Sequence, residues 1–87
     1  MYYVYVLKSL KDHSLYIGYT NDIDRRLLEH NSGQSVYTKS RCPWALVYYE
    51  AFSNLDDAKK REGSLKYFGK AYGQLKGRIK RSLNSLE

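Results

Sequence analysis

The feature that most constrains this chain is a pair of short, tyrosine-rich apolar runs near its N-terminus. The first run covers residues 2–8 and the second covers residues 15–20, with polar residues 9–13 between them. Side chains in the first run alternate as in a strand, and both of its faces are apolar. The two runs therefore predict an antiparallel hairpin that must be covered on both faces. Gly18 interrupts the second run, which indicates a bulge or a group that must approach the backbone closely.

Caps and periodicity predict the first helix. Residues 20–22 all suit a helix N-cap, so a helix is expected over residues 22–31, ending near Gly33. Its apolar stripe is thin, and Arg26 and His30, four residues apart, lie along one edge of it. A cation and an imidazole are therefore expected at the boundary between helix and sheet.

A third strand and two further helices complete the predicted fold. The strand covers residues 44–52, and the second helix begins near Leu55 and ends near Phe68. Gly69 breaks the pattern, and a third, basic helix is expected over residues 71–83. The fold class is therefore α+β, a three-stranded antiparallel sheet flanked by about three helices.

Glu62 is the strongest departure from an apolar pattern. It falls inside the stripe of the second helix, between Ala58 and Leu65. An ionised carboxylate facing a core costs roughly several kcal/mol unless it is paired or bound to a cation. Taken alone, Glu62 fits either a salt bridge to a neighbouring arginine or a functional role.

Composition limits the class of protein. The 87 residues suit one domain over residues 1–87, and a hydrophobic content of 43% is too high for a disordered chain. A formal net charge of +6 favours nucleic acid as a partner over an anionic membrane surface or charge that serves only solubility. Cys42 is the only cysteine, which excludes an intramolecular disulfide and fits a cytoplasmic location. A signal peptide is not expected, because the N-terminus lacks a basic start and a small-residue cleavage site. A membrane span is not expected either, because no apolar run approaches the roughly 18 residues that cross a bilayer.

Five side chains form a candidate site for phosphodiester chemistry. Taken alone, each has an ordinary structural reading as core, surface charge or hydrogen-bonded helix residue: Tyr5, Tyr16, Arg26, His30 and Glu62. Together they offer a cation for the developing phosphorane charge, groups to move a proton, and a carboxylate for a divalent metal. A tyrosine hydroxyl is a weak base unaided, but a nearby metal or cation favours the phenolate.

These residues, at this spacing, resemble the GIY-YIG nuclease domain. Tyr16-Ile17-Gly18 matches the family's second triplet, and Tyr3-Val4-Tyr5 stands in place of the first, with tyrosine where the family usually has its glycine. Arg26, His30 and Glu62 follow at the family's usual distances for the catalytic arginine, a histidine one turn later and the metal-binding glutamate. The match covers nearly the whole chain and is closest to the small stand-alone subfamily similar to the excinuclease C N-terminal domain.

The resemblance implies one-metal hydrolysis of DNA with Mg²⁺ or Mn²⁺, in repair or recombination. Tyr5 would be the general base or proton relay, Arg26 the phosphate clamp and Glu62 the metal ligand. Tyr16 and His30 would position water and phosphate. Restriction and homing enzymes of this family carry recognition segments that are missing here, so a protein partner is expected to supply any sequence specificity.

Further DNA contacts are expected from Gly18 and from basic residues: Lys39, Arg41, Lys66, Lys70 and Lys76. Many family members carry a supporting asparagine after the glutamate, and the nearest candidate here is Gln74. Two alternatives stay open, a nucleic-acid-binding module with little catalysis and a protein-interaction domain whose tyrosines form the interface. The second does not explain Glu62. The preferred nucleic acid and the oligomeric state are also open.

Overall fold

The computed structural model describes residues 1–84, in which a central strand pairs with a neighbour on each side. The elements are β1 (Tyr2–Ser9), β2 (Leu15–Thr20), α1 (Ile23–Asn31), β3 (Trp44–Phe52), α2 (Leu55–Tyr67), α3 (Gly69–Arg78) and α4 (Lys80–Asn84). A short 3₁₀ turn, Lys39–Arg41, precedes β3. This is the predicted α+β fold. None of the helices within residues 1–84 has the length and apolarity needed to cross a membrane.

The sheet has the order β2-β1-β3, and both pairings are antiparallel. Residues 4–9 of the central strand are all buried, because both of its apolar faces are covered. Tyr5 lies opposite Gly18 on β2 and Tyr49 on β3. The register with β3 shifts by one residue after Val6. This pairing places Tyr5 beside the glycine of an edge strand.

Helices α2 and α3 cover one face of the sheet and enclose the main hydrophobic core. Its buried members come from the two N-terminal strands and the C-terminal helical region: Val4, Val6, Ile17, Ala58, Leu65, Leu75 and Ile79. Ala58 and Leu65 are the buried residues of α2. Burial of these apolar side chains is the main favourable contribution to folding.

Helix α1 and the loop before β3 cover the opposite face, where Tyr5, Leu7 and Trp44 form a second buried cluster. Asn31 ties the end of α1 to β3. Its Nδ2 donates to the Trp44 carbonyl at 3.0 Å, and the Trp44 N–H donates to Asn31 Oδ1 at 2.6 Å. The Trp44 indole N–H donates to the Thr38 carbonyl at 3.0 Å. These bonds hold the loop against the face that carries Tyr5.

Helix α1 begins and ends where its caps predict. The Asp22 carboxylate accepts a hydrogen bond from the Arg25 N–H at 3.0 Å. Gly33 follows the helix with a φ of 80°, a left-handed conformation that glycine adopts without steric cost.

The prediction of a single last helix over residues 71–83 was wrong. Gly69 begins α3 instead of breaking a helix, and the break falls at Phe68, whose backbone is extended with φ −118° and ψ 100°. Helix α3 ends at Arg78, and α4 follows. Ile79 lies between the two helices and packs in the core. Tertiary packing therefore sets a boundary that local propensity does not mark.

Candidate active site at the edge strand β2

The centre of the candidate site is the contact between Tyr5 and Gly18. Tyr5 is 2% exposed. A Cβ on residue 18 would lie 2.5 Å from the Tyr5 hydroxyl oxygen and 2.7 Å from its Cζ. Any residue larger than glycine would therefore collide with the ring. This confirms the close approach to the backbone that the glycine in the strand pattern indicates.

His30 bonds to the Tyr5 hydroxyl from helix α1. Its Nε2 lies 2.9 Å from the Tyr5 oxygen, and its Nδ1 lies 2.7 Å from the Thr38 hydroxyl oxygen. His30 is fully buried, whereas Ile23 and Leu27, the predicted apolar stripe, are only partly buried. The imidazole is thus the most deeply buried side chain of the helix, while Leu27 packs against the second buried cluster. Hydrogen bonds at both ring nitrogens fix the orientation of the imidazole.

Tyr16 packs against both His30 and Tyr5. Its ring centroid lies 5.0 Å from that of His30 and 6.4 Å from that of Tyr5. A further edge contact joins it to Trp44, with centroids 6.2 Å apart. Aromatic pairs favour these separations and edge-on arrangements, so the imidazole and both tyrosines form one packed group.

Arg26 lies on the open side of the site. Its Nη1 is 2.9 Å from Glu29 Oε1, and 34% of its side chain is exposed. The residue lines an open groove of about 480 Å³, together with Tyr19, Thr20 and other residues. Arg26 also lies close enough to the Tyr5 hydroxyl to favour its ionised form. The Arg26 guanidinium, held by Glu29, therefore lies between the buried Tyr5 and a groove that an anion can enter.

Glu62 reaches the same edge from helix α2, on the other face of the sheet. Its side chain is 16% exposed, and Lys66 Nζ lies 3.4 Å from its Oε2. The same ammonium lies 5.5 Å from the Tyr16 ring centroid. The charge of Glu62 also acts on Tyr5. Helix α2 thus supplies a carboxylate to the group formed by β1, β2 and α1.

Burial keeps the two hydrogen-bonded partners neutral. It raises the pKa of Tyr5 to about 12, although hydrogen bonding to Arg26 opposes the rise. Burial also lowers the pKa of His30, and the charge of Arg26 lowers it further. At neutral pH Tyr5 therefore keeps its proton, and His30 has one nitrogen that can accept a proton.

The donor set limits which metal could bind here. No group of three or more His, Cys, Asp or Glu side chains in residues 1–84 is placed to hold a metal ion. Glu62 therefore belongs to no cluster of three such ligands within these residues. Mg²⁺ keeps several waters and is commonly held by one or two carboxylates with substrate phosphates, whereas a structural zinc site needs four protein ligands. The site fits Mg²⁺ or the similar Mn²⁺, and it does not fit a closed zinc site.

The residues predicted to contact DNA have different surroundings. Gly18 and Lys66 lie at the site itself. Arg41 is held by packing, because its guanidinium lies 5.5 Å from the Trp44 ring centroid and donates to the Tyr37 carbonyl at 3.0 Å.

The other predicted contacts are farther along the chain. Lys39 and Lys70 are exposed, and Lys76 Nζ lies 4.7 Å from the Tyr72 ring centroid. Gln74 lines a separate cavity with Arg61 and Arg78. Within the described part of the chain, none of these forms a hydrogen bond or ion pair with the five candidate site residues.

Sequence reasoning missed two residues of this site, Thr38 and Glu29. The three-residue spacing between Arg26 and Glu29 on a helix was an available signal. Thr38 lies in a loop, where no periodic pattern indicates which side chain turns inward. Tyr3, which replaces the glycine of the first triplet, packs edge-on against Tyr49 with ring centroids 5.8 Å apart.

Comparison with known proteins agrees with this geometry. The family model for the GIY-YIG catalytic domain matches residues 1–72. A UPF0213 protein of Staphylococcus saprophyticus is 47% identical over 70 residues, covering 79% of this chain and 84% of that protein. A UPF0213 protein of Clostridium perfringens is 48% identical over 67 residues, covering 76% of this chain and 71% of that protein. The solution NMR structure of a UPF0213 protein from Bacillus halodurans is 36% identical, with a TM-score of 0.57 and coverage of 98% of this chain and 94% of that one.

Proposed function

This chain belongs to the GIY-YIG family, a family of nuclease domains, and we propose that it is a metal-dependent DNA endonuclease. The proposed enzyme hydrolyses phosphodiester bonds with structure selectivity or weak sequence specificity. A cytoplasmic location and a role in repair or recombination belong to the proposal through the family resemblance. A partner protein would supply any strict sequence specificity.

The observation that carries the proposal is the convergence of functional groups on the Tyr5 hydroxyl. It lies 2.9 Å from His30 Nε2, and both Arg26 and Glu62 act on it electrostatically. A tyrosine that served only the core would need no such set of neighbours. Shifted pKa values at a cluster of titratable groups are typical of functional sites.

In the proposed reaction Tyr5 relays a proton to His30. As a water molecule attacks phosphorus, the Tyr5 oxygen accepts a proton from it and passes its own proton to His30 Nε2. The P–O bond to the leaving nucleotide breaks, and the leaving oxygen keeps the electron pair and takes a proton from solvent. Such a relay needs no preformed phenolate, which matters because burial raises the pKa of Tyr5 to about 12.

Arg26 is proposed to bind the phosphate that is cleaved. Its planar guanidinium suits phosphate oxygens, and the ion pair with Glu29 at 2.9 Å fixes its direction. A preorganised cation stabilises the charge that develops in the transition state, an effect typically worth on the order of 10²–10³ in rate for one donor.

Glu62 is proposed to hold the divalent metal. A bound metal ion would supply Lewis-acid stabilisation at the phosphoryl oxygens. Because Lys66 lies 3.4 Å from Glu62, this ammonium must release the carboxylate when a metal ion binds. The long, flexible side chain of Lys66, which is 35% exposed, can do so by turning toward solvent.

A second candidate function is nucleic-acid binding with little catalysis. It is favoured by residues 63–84, which contain six Lys or Arg and no Asp or Glu. Binding of this kind depends steeply on salt, because phosphate contacts release counterions. It does not require the Tyr5 hydroxyl.

The test is cleavage of end-labelled linear, flapped and four-way-junction DNA in Mn²⁺ by the wild type and two matched variants. Tyr5→Phe removes the hydroxyl at the site, and Tyr49→Phe makes the same change at a half-exposed position opposite Tyr5 in the sheet. Tyr5→Phe should lose roughly 10²-fold or more in rate, as expected for a general acid–base group, while Tyr49→Phe keeps the activity. Absence of wild-type cleavage above the Tyr5→Phe level on all three DNAs would rule out the nuclease. A salt-sensitive gel shift of the same DNAs would then support the binding module.

A further inference from the structure

Thr38 is a fully buried polar residue that the proposed chemistry does not use. Its hydroxyl oxygen lies 2.7 Å from His30 Nδ1. Its backbone is fixed on both sides, because its N–H donates to the Ser35 carbonyl at 3.2 Å and its carbonyl accepts from the Trp44 indole at 3.0 Å. The hydroxyl is thus held against the imidazole by a loop that is itself anchored to β3.

The distances from His30 to its two partners do not fix its tautomer. A neutral imidazole has one nitrogen that donates and one that accepts. Both of its partners, Tyr5 and Thr38, are hydroxyls, and a hydroxyl can do either. Two arrangements are therefore compatible with the distances.

The proposed proton relay selects one of the two arrangements. In it Tyr5 passes its proton to His30 Nε2, 2.9 Å away, so Nε2 must be the accepting nitrogen of the neutral ring. The ring proton then lies on Nδ1 and is donated to the Thr38 oxygen, 2.7 Å away.

We infer that Thr38 is a positioning residue that holds His30 in its Nδ1-protonated tautomer and so keeps Nε2 free to accept the Tyr5 proton. Both the tautomer and its catalytic consequence rest on the proposed function, but the tautomer is measured without reference to activity. On transfer the Tyr5 O–H bond breaks and an Nε2–H bond forms. The Nδ1–H stays bonded to Thr38, so both N–H groups of the resulting imidazolium have acceptors.

The tautomer can be measured by long-range ¹H–¹⁵N correlation NMR on the metal-free full chain. The protein has two histidines, and a His13→Asn variant assigns the spectrum, because residue 13 has a φ of 65° and asparagine tolerates that conformation. Wild-type His30 should be protonated at Nδ1. Thr38→Ser keeps the hydroxyl and should keep this tautomer. Thr38→Val has nearly the same shape and should shift the ring toward Nε2–H, because a buried Nδ1–H without an acceptor is costly.

Kinetics provide the second readout. Thr38→Val should lower kcat about tenfold or more, by analogy with the hydrogen-bond partners of metal-bound histidines, and should leave KM for DNA unchanged. Thr38→Ser should restore kcat close to the wild-type value. The inference is wrong if wild-type His30 carries its proton on Nε2, or if Thr38→Val leaves the tautomer unchanged.

The two proposals fail in different ways. If Thr38→Val does not fold, the wild-type and Thr38→Ser spectra still decide the tautomer. If the wild type cuts no DNA, the proposed nuclease function fails, while the same spectra still test the role of Thr38 in the fold.

Discussion

Two glutamates near opposite edges of the sheet differ in how fully their oxygens are bonded. Glu50, on β3, accepts from Arg61 Nε at 2.9 Å and Nη2 at 2.9 Å, and from the Tyr48 hydroxyl at 2.6 Å. Glu62, near β2, has an ion pair with Lys66 at 3.4 Å. Both side chains are about equally shielded from solvent, with 19% and 16% exposed. Burial alone therefore does not distinguish them.

The difference lies in the partner. A bidentate arginine and a tyrosine hydroxyl occupy the lone pairs of Glu50 and leave little room for a metal ion, so Glu50 serves the fold. A single flexible lysine leaves the oxygens of Glu62 available. Arg61 and Glu62 are neighbours on α2, and successive helical residues point about 100° apart. One helix can thus serve a structural pair on one side and a candidate metal site on the other.

The matched substitutions Glu62→Gln and Glu50→Gln should show the largest difference between the two glutamates. Glu62→Gln should lower Mn²⁺-dependent cleavage about 100-fold or more, because Lewis-acid stabilisation is worth several kcal/mol and each 1.36 kcal/mol is a factor of ten. It should leave the melting temperature nearly unchanged.

Glu50→Gln should have the opposite pattern. It leaves Arg61 without its charged partner and should lower the free energy of unfolding by about 1–3 kcal/mol, with activity retained where the protein is folded. Calorimetry and single-turnover cleavage measure the two effects. An active Glu62→Gln variant would contradict the assignment of Glu62.

Two glycines give the next largest contrast. Gly18→Ala should destabilise the fold by about 1–3 kcal/mol, the usual cost of overpacking, because its Cβ would lie 2.5 Å from the Tyr5 hydroxyl. Gly77→Ala, on α3 beside Arg78, meets nothing within 4 Å and should stabilise the helix by up to about 1 kcal/mol. Chemical denaturation of both variants checks the signs. Equal effects of the two substitutions would mean that the Tyr5 ring does not lie against residue 18.

The surroundings of Tyr5 and of Glu50 should also lose stability at opposite ends of the pH scale. The pKa of Tyr5 is raised to about 12, so its contribution is complete below a pH of about 10 and is lost as the pH rises toward the folded value. Burial opposes ionisation of Glu50, but hydrogen bonds from Arg61 and Tyr48 outweigh it and lower its pKa. Its contribution is complete above a pH of about 4.3 and is lost as the pH falls.

Unfolding free energies measured from acid to alkaline pH should separate these contributions. Relative to the wild type, Tyr5→Phe should reduce the loss of stability above pH 10, and Glu50→Gln should reduce the loss at acid pH. If Tyr5→Phe instead changes the stability at acid pH, or Glu50→Gln changes it at alkaline pH, the assignment of the titrating groups is wrong.

The smallest expected effect concerns Lys66. Lys66→Met removes the ammonium from Glu62 and keeps the aliphatic length beside Tyr16. Mn²⁺ should then bind a few-fold more tightly, because the ammonium no longer competes for the carboxylate, and titration calorimetry measures this directly. The matched change Lys76→Met, at a lysine stacked on Tyr72, should leave Mn²⁺ affinity unchanged. Weaker binding in Lys66→Met would show that this lysine does not compete with the metal.

Strand periodicity and caps were sufficient to predict the three strands and the start of α1, because these signals come from neighbouring residues. The split between α3 and α4 was not predictable in this way. Apolar residues recur through residues 71–83 as in one helix, yet the helix is interrupted at Ile79, which is buried in the core. Local spacing also placed His30 at the edge of α1, although contact with Tyr5 and Thr38 buries it completely.

The candidate site also has features that local sequence predicts and features that depend on the fold. Residue type and spacing along a strand or helix are local properties, so the sequence was enough to predict the candidate side chains: the two tyrosines, Arg26, His30, Glu62 and the glycine over which Tyr5 lies. The sequence does not indicate that Glu50 is bonded to Arg61 while Glu62 is not, or that Thr38 faces His30. Those facts depend on which segments, far apart in the chain, are brought together by the packing of α1, α2 and the loop before β3 against the sheet.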